Sequence, residues 1–258
     1  MDLSILLNWI QSISQNIFAA ILISLFVILV PKLKKRTIRK LFLSDDKKAY
    51  DIVCTTIEYQ NTPYHGCRPV TAYGELLALA ELYSTFNELG GVGKFVNLVR
   101  MSSKESFSNE RLQNNLIIIG GSTYNRVSKL FSEKCNSGWK IISDDNLKEI
   151  TDGNYSYTFR DNGEIFKAEK DFESNRITLD YGLITKFKNP FNIESTVIFI
   201  DGLHTYGLIG AAKAMSPSVI KKYQKIFNHF RDDSFQILVK CNVIDLEVCI
   251  DTIRYFKL

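Results

Sequence analysis

Two turns between apolar runs and helix-like segments carry the residue types that could do chemistry. In IIIGGSTYN, Gly120 and Gly121 end an apolar run and are followed by Ser122, Thr123 and Asn125. In VIFIDGLHTYGLIGAA, Asp201 and Gly202 end a second run, and His204, Tyr206 and Gly207 lead into the next segment. Glycine lets a ligand approach the backbone closely, and Ser, Thr and Asn can cap a helix or donate to phosphate and ribose oxygens. Helix N-termini at such turns present unpaired N–H groups and the positive end of the helix dipole. Both turns are therefore candidate ligand-binding sites. Neither has the GxGxxG or P-loop spacing, so each set of glycines could equally serve a tight turn or close helix-to-sheet packing.

A third candidate is RPVTAYGELLALAEL, where Arg68, Tyr73 and Glu75 lie at the entry to a helix. A carboxylate in that place can stabilise an oxocarbenium-like centre or act as nucleophile in cleavage of an N-glycosidic bond. Glu75 is the candidate catalytic residue on that reading; its plain alternative is a first-turn acid complementing the helix dipole. Asn189 and Asn192, in the turn NPFN, serve first to connect a hairpin. His65 and Cys67 have no second pair at zinc spacing, so no metal site is expected, and no GxSxG elbow is present.

The elements that must position these residues follow from apolar periodicity. YDIVCTTI (50–57), FVNLVRM (95–101), LIIIG (116–120) and STVIFIDG (195–202) read as strands. VTAYGELLALAELYSTFNEL (70–89), STYNRVSKLFSEK, LHTYGLIGAAKAMS and SPSVIKKYQKIFNHF read as helices, the first with Leu76, Leu77, Leu79, Ala80, Leu82 and Tyr83 as its apolar face. Strands alternating with helices predict an α/β fold with a Rossmann-like, mostly parallel sheet. Residues 139–188 instead read as an antiparallel β insert, with Asn162-Gly163 as a hairpin turn. FQILVKCNVI and EVCIDTIRYF read as a closing strand pair.

The N-terminal part is of another kind. The stretch from Leu3 to Val30 is uncharged and ends at Pro31, long enough as a helix to cross a hydrocarbon layer of about 30 Å. Residues 32–48 then hold eight Lys or Arg against Asp45 and Asp46. Positive charge after the apolar run rather than before it argues for a retained anchor, and a basic flank stays on the cytoplasmic side. The expected organisation is a transmembrane anchor at 1–31, a basic juxtamembrane linker at 32–48, and a cytoplasmic α/β domain at 49–258. The expected location is the inner membrane, single-pass, with the N-terminus outside. Gln11, Ser12, Ser14, Gln15 and Asn16 make the outer half of the span polar, as contacts with other copies would require, so a homo-oligomer is expected.

The net charge of +4 resides in the linker, and the rest of the chain is close to neutral. The folded domain thus gives no sign of nucleic-acid binding. The five cysteines, at 54, 67, 135, 241 and 249, form no CxxC pair and are expected to be free thiols, mostly in the core.

With IIIGGSTYN and IFIDGLHTYG behind an N-terminal anchor and a basic linker, the chain resembles membrane-anchored sensor or effector proteins of bacterial conflict systems. Their soluble parts resemble the SLOG and TIR-like nucleotide-handling superfamilies. The resemblance implies contact of the Gly120-Gly121 and Gly202-to-Gly207 turns with a nucleotide-derived ligand, and a role in antiviral defence signalling. The chain lacks the PGGxGT signature of the phosphoribohydrolase branch and has AYGELLALAEL in its place. Two functions follow. One is a membrane-anchored module that binds a nucleotide or nucleotide-derived signal with no obligatory cofactor; the other is a membrane-tethered NAD or nucleoside N-glycosidase working through Glu75. The remaining alternative is a scaffold with no small ligand.

Overall fold

The computed structural model describes residues 41–42, 49–55, 57–59, 68–70, 72–102, 107–121, 125–135, 141–151, 154–223, 226 and 234–258. The expected span at 3–30 lies outside them, as does the linker apart from Leu41 and Phe42. Among the described residues no helix is long and apolar enough to cross a membrane.

The chain is a mixed α/β structure. Its main sheet is eight-stranded. It contains β1 (Tyr50–Thr55), β4 (Val96–Ser102), β5 (Leu116–Ile119), β9 (Glu169–Lys170), β10 (Ile177–Asn189), β11 (Asn192–Gly202), β12 (Phe235–Ile244) and β13 (Glu247–Lys257). The order is β13-β12-β10-β11-β5-β1-β4, with β9 added on β10. A short hairpin of β2 (Ile57–Tyr59) and β3 (Arg68–Val70) follows β1.

The sheet has two halves of different grammar. Strands β4, β1, β5 and β11 pair in parallel. Strands β11, β10, β12 and β13 pair antiparallel. The expectation of a mostly parallel sheet is therefore met in one half only. The expected insert also divides. Residues from β6 (Ile142–Thr151), β7 (Asn154–Asp161) and β8 (Glu164–Lys167) form a separate three-stranded antiparallel sheet, whereas 177–189 is β10, inside the main sheet. The reason is physical: β10 is buried on both faces over most of its length, which an edge or insert strand would not be.

Period-two alternation sorts the core into layers. Ile52, Ile117, Ile119, Ile198 and Ile200 face α1 (Tyr73–Leu89), α4 (Thr205–Ala214) and α5 (Pro217–Lys222). Val53, Leu116, Ile118, Val197 and Phe199 face α3 (Arg126–Cys135) and the short α2 (Asn109–Leu112). Every residue of β5 is fully buried, and each such side chain removed from water stabilises the fold by roughly 1.5 to 3 kcal/mol. The insert sheet covers the antiparallel half, with Phe159 and Phe166 packed against Leu183 and Leu238.

Two polar clamps fix outlying pieces to this core. The buried Gln236 accepts the Ile141 N–H at 2.8 Å and donates to the Ile141 carbonyl at 3.0 Å, pinning the start of the insert to β12. Lys186, also buried, donates to the Leu41 carbonyl at 2.8 Å, while Phe42 meets Phe235 edge-on at 6.1 Å. Leu41 and Phe42 are thus fixed against β10 and β12.

The buried face of α1 is Gly74, Glu75, Ala78, Leu82, Thr85, Phe86 and Leu89. It is rotated from the face expected from the leucines, and Leu76 is largely exposed. Leu82 is buried and Leu77, Leu79 and Tyr83 pack at the margin of the core, while at its start α1 turns Gly74 and Glu75 inward. Among the cysteines, Cys54 and Cys241 are buried, Cys135 is half-buried and Cys249 is exposed.

Candidate functional site

Strands β1, β5 and β11 run parallel and end side by side, so their exits share one end of the sheet. Open α/β sheets bind their ligands there. The starts of α1 and α4 close the same region: a Cβ on Gly74 would lie 2.9 Å from the Thr205 methyl group. All three candidate segments converge.

The glycines make room for the protein's own carboxylates. Gly120 has φ +95°, and a Cβ there would lie 2.5 Å from Glu75 Oε1 and 3.0 Å from Thr55 Oγ1. At Gly121 a Cβ would lie 3.0 Å from Asp201 Oδ1. Successive residues of one turn are thus pressed against the carboxylate from α1 and the carboxylate from the end of β11. Glu75 also reaches back to β1, accepting the Thr55 N–H at 2.6 Å.

Burial governs the electrostatics. Glu75 is 5% exposed, and loss of solvent raises its carboxyl above the usual carboxylate range, opposed by contacts with Thr55. The Thr55 hydroxyl lies close by without a hydrogen bond of good geometry. Next to it the Cys54 thiol is pushed up to about 12, first by burial and then by the Glu75 charge, so it is a core thiol and not a nucleophile. His204 immediately precedes α4, and burial, with Lys170 adding to it, lowers the pKa of its imidazole. Tyr73, the first residue of α1, is 72% exposed at the rim.

Other expected site residues have structural duties. Asn125 is fully buried and caps α3, accepting from the Val127 and Ser128 N–H groups at 3.0 and 3.2 Å and donating to the Ile119 carbonyl at 3.0 Å. A Cβ on Gly202 would strike the backbone of α4, and one on Gly207 would strike the Tyr181 carbonyl, so these two glycines serve close helix-to-sheet packing. Tyr206 packs against the main core. For Gly202 and Gly207 this is the close-packing alternative already open in the sequence, and Asn125 is the helix cap it offered. Arg68 opens β3 opposite Tyr59, while Ser122 and Thr123 lie outside the described residues.

Asp180 is the residue that reading the sequence missed. It is fully buried on β10, and its carboxylate accepts the Gly207 N–H at 2.6 Å and the Tyr181 N–H at 2.8 Å. Burial raises its pKa to about 6, against the lowering effect of backbone N–H groups at the start of α4. The available signal was an acid inside the apolar strand TLDYGLIT, beside a glycine.

A separate polar cleft of about 560 Å³ lies at the opposite, amino ends of the strands, lined by Asp51, Asn97, Asn114, Asn115, Asn192 and Ser195 among others. Its side chains are largely spent on each other. Asn97 and Asn114 donate to the Asp51 carboxylate at 2.9 and 3.0 Å, and Asn189 and Asn192 hold the carbonyls of the loop before β5. This places Asn189 and Asn192 away from Glu75, at the other end of the strands.

No family model, no curated protein and no solved structure matches the chain. Among the described residues no group of three His, Cys, Asp or Glu is arranged to hold a metal ion. What the strand exits bring together is two carboxylates against a glycine turn, one of them buried, with a half-buried imidazole and an exposed aromatic ring. Such a set suits hydrogen bonds to vicinal hydroxyls, stacking on a flat ring, and stabilisation of positive charge.

Proposed function

We propose that this chain is a membrane-anchored module whose Rossmann-like domain binds a nucleotide-derived ligand at the exits of β1, β5 and β11, in a bacterial defence or signalling role. The observation that carries this is the pairing of Glu75 and Asp201 with successive glycines of the β5 turn. Carboxylates accept two hydrogen bonds from a ribose diol, as an acid beyond a strand does in dinucleotide-binding domains. Tyr73 supplies an aromatic surface at the rim for a base. The anchor at 1–31 holds the module at the bilayer, and assembly of several copies is its output.

A second reading, an NAD or nucleoside N-glycosidase, is favoured by one feature: the Glu75 carboxyl is buried and raised. A carboxylate kept from water at a glycosidic centre can stabilise an oxocarbenium-like transition state or attack it.

The test is to incubate the purified full-length chain with a pool of NAD, mononucleotides, cyclic nucleotides and nucleosides, and to identify retained and released species by mass spectrometry. An intact nucleoside or nucleotide retained without products supports the binding module. Free nicotinamide or free base, lost on Glu75→Gln, supports the glycosidase. A chain that retains and cleaves nothing contradicts both.

A further inference from the structure

A second site lies at the other end of the sheet, independent of Glu75. We propose that the polar cleft at the amino ends of the strands binds a neutral polyhydroxylated ligand, of which a pyranose sugar is the simplest.

Strands β4, β1, β5 and β11 are neighbours and run parallel, so the residues at their starts form one row. Asn97 on β4, Asp51 on β1, Asn115 just before β5 and Ser195 on β11 all line the cleft. Three of them are almost out of solvent, Asp51 at 3%, Asn115 at 4% and Ser195 at 5% exposure. Polar groups buried to this degree need hydrogen bonds, and here each is fixed by one while keeping a further capacity.

Asp51 is held through both carboxylate oxygens, by Asn97 at 2.9 Å and Asn114 at 3.0 Å. A carboxylate has room for about four donors, so acceptor positions remain. Asn115 Oδ1 accepts the Thr196 N–H at 2.8 Å, which fixes the amide and leaves its Nδ2 donors with no partner among the described residues. Ser195 Oγ accepts from Asn192 Nδ2 at 3.1 Å, so its own proton is left to give. The cleft therefore presents acceptors and donors side by side, on side chains whose geometry the protein has already set.

A sugar hydroxyl both donates and accepts, and neighbouring hydroxyls on a ring match a carboxylate beside an amide: one donates to the first while the other accepts from the second. Groups held in place before binding lose little freedom on contact. Asp51 and Glu110 in the lining disfavour an anion, and a simple cation would make no use of the Asn115 and Ser195 donors. A volume of about 560 Å³ is that of a small-molecule site.

The experiment is saturation-transfer NMR on the full-length chain with glucose, galactose, mannose and N-acetylglucosamine, and with spermidine as a cationic counterpart. Transfer to at least one sugar is expected, with affinity read from a concentration series. Asn115→Asp keeps the oxygen that holds the Thr196 N–H and removes the donor; Ser195→Ala removes the hydroxyl alone. Each is expected to weaken the sugar about tenfold, the ratio that one hydrogen bond is worth, whereas Glu75→Gln leaves it unchanged. Transfer to no sugar, or to spermidine alone, overturns the inference. So does a sugar whose affinity is unchanged in both cleft variants or is lost on Glu75→Gln. None of these outcomes bears on the nucleotide reading of the Glu75 site, which keeps its own test.

Discussion

Asp180 and Gly207 are joined by a hydrogen bond of 2.6 Å, in which an N–H of the first turn of α4 donates to a fully buried carboxylate of β10. That contact satisfies one N–H of the first turn of α4 and binds α4 to the antiparallel half of the sheet. It also has a thermodynamic signature. Burial lifts Asp180 from its ordinary value of 3.8 to about 6, so the native state keeps this proton over a range where the unfolded chain has released it.

The contribution of Asp180 to stability is therefore greatest at low pH and is lost as the pH rises from about 4 to about 6, by roughly 3 kcal/mol in all. Glu75, raised for the same reason, adds a slope of the same sign. Asp180→Asn is expected to flatten the fall. Urea midpoints at half-unit pH steps on both proteins measure it; equal slopes would contradict the assignment.

Gly120 tests whether the β5 turn is built around Glu75. Gly120→Ala must both adopt φ +95° and displace the Glu75 carboxylate. A loss of about 2 to 4 kcal/mol is expected. Gly93→Ala, where a Cβ meets nothing within 4 Å, is expected to change stability by less than about 0.5 kcal/mol. Chemical denaturation of the two variants in parallel decides the matter.

Gln236 should hold the insert. Gln236→Ala strands the buried Ile141 N–H and carbonyl, at a cost of about 2 to 3 kcal/mol. Amide exchange should accelerate in peptides covering 141–167 before it changes in β5. Uniform acceleration across the whole sheet would mean that Gln236 supports the global fold instead.

Thiol reactivity should follow burial. Cys54 and Cys241 are pushed up to about 12 by loss of solvent, whereas Cys249 is exposed on β13. Brief alkylation of the native chain at pH 8, read by peptide mass spectrometry, should modify Cys249 and spare the other two. Rapid labelling of Cys54 would show that the exit of β1 is open to solvent.

Much of this architecture is legible in the sequence, because strands such as Leu116–Ile119 announce burial on both faces by continuous apolarity. The closing pair β12 and β13 is equally plain from alternation. What the sequence conceals is partnership. Nothing in TLDYGLITKFK says that it pairs with β11 and β12 rather than with the strands before it, since registry is set by three-dimensional packing and not by composition. The same limit holds at the site. Gly120, Gly121, Glu75 and Asp201 stand out as candidates, but their contacts span three chain segments. Asn125 and Gly207 look equally suited to a ligand and are consumed by a cap and by a helix-to-sheet contact. Asp180 is hidden because an acid in a strand gives no hint of the helix terminus it will meet.

The central claim is that Glu75 and Asp201 together form the ribosyl-binding surface, and isothermal titration of nicotinamide riboside into the full-length chain, Glu75→Gln and Asp201→Asn tests it most directly. Each substitution is predicted to weaken binding at least tenfold, equivalent to about 1.4 kcal/mol, while the far-ultraviolet dichroism stays that of the parent chain. Binding of unchanged affinity in both variants would contradict the account and place the ligand elsewhere on the molecule.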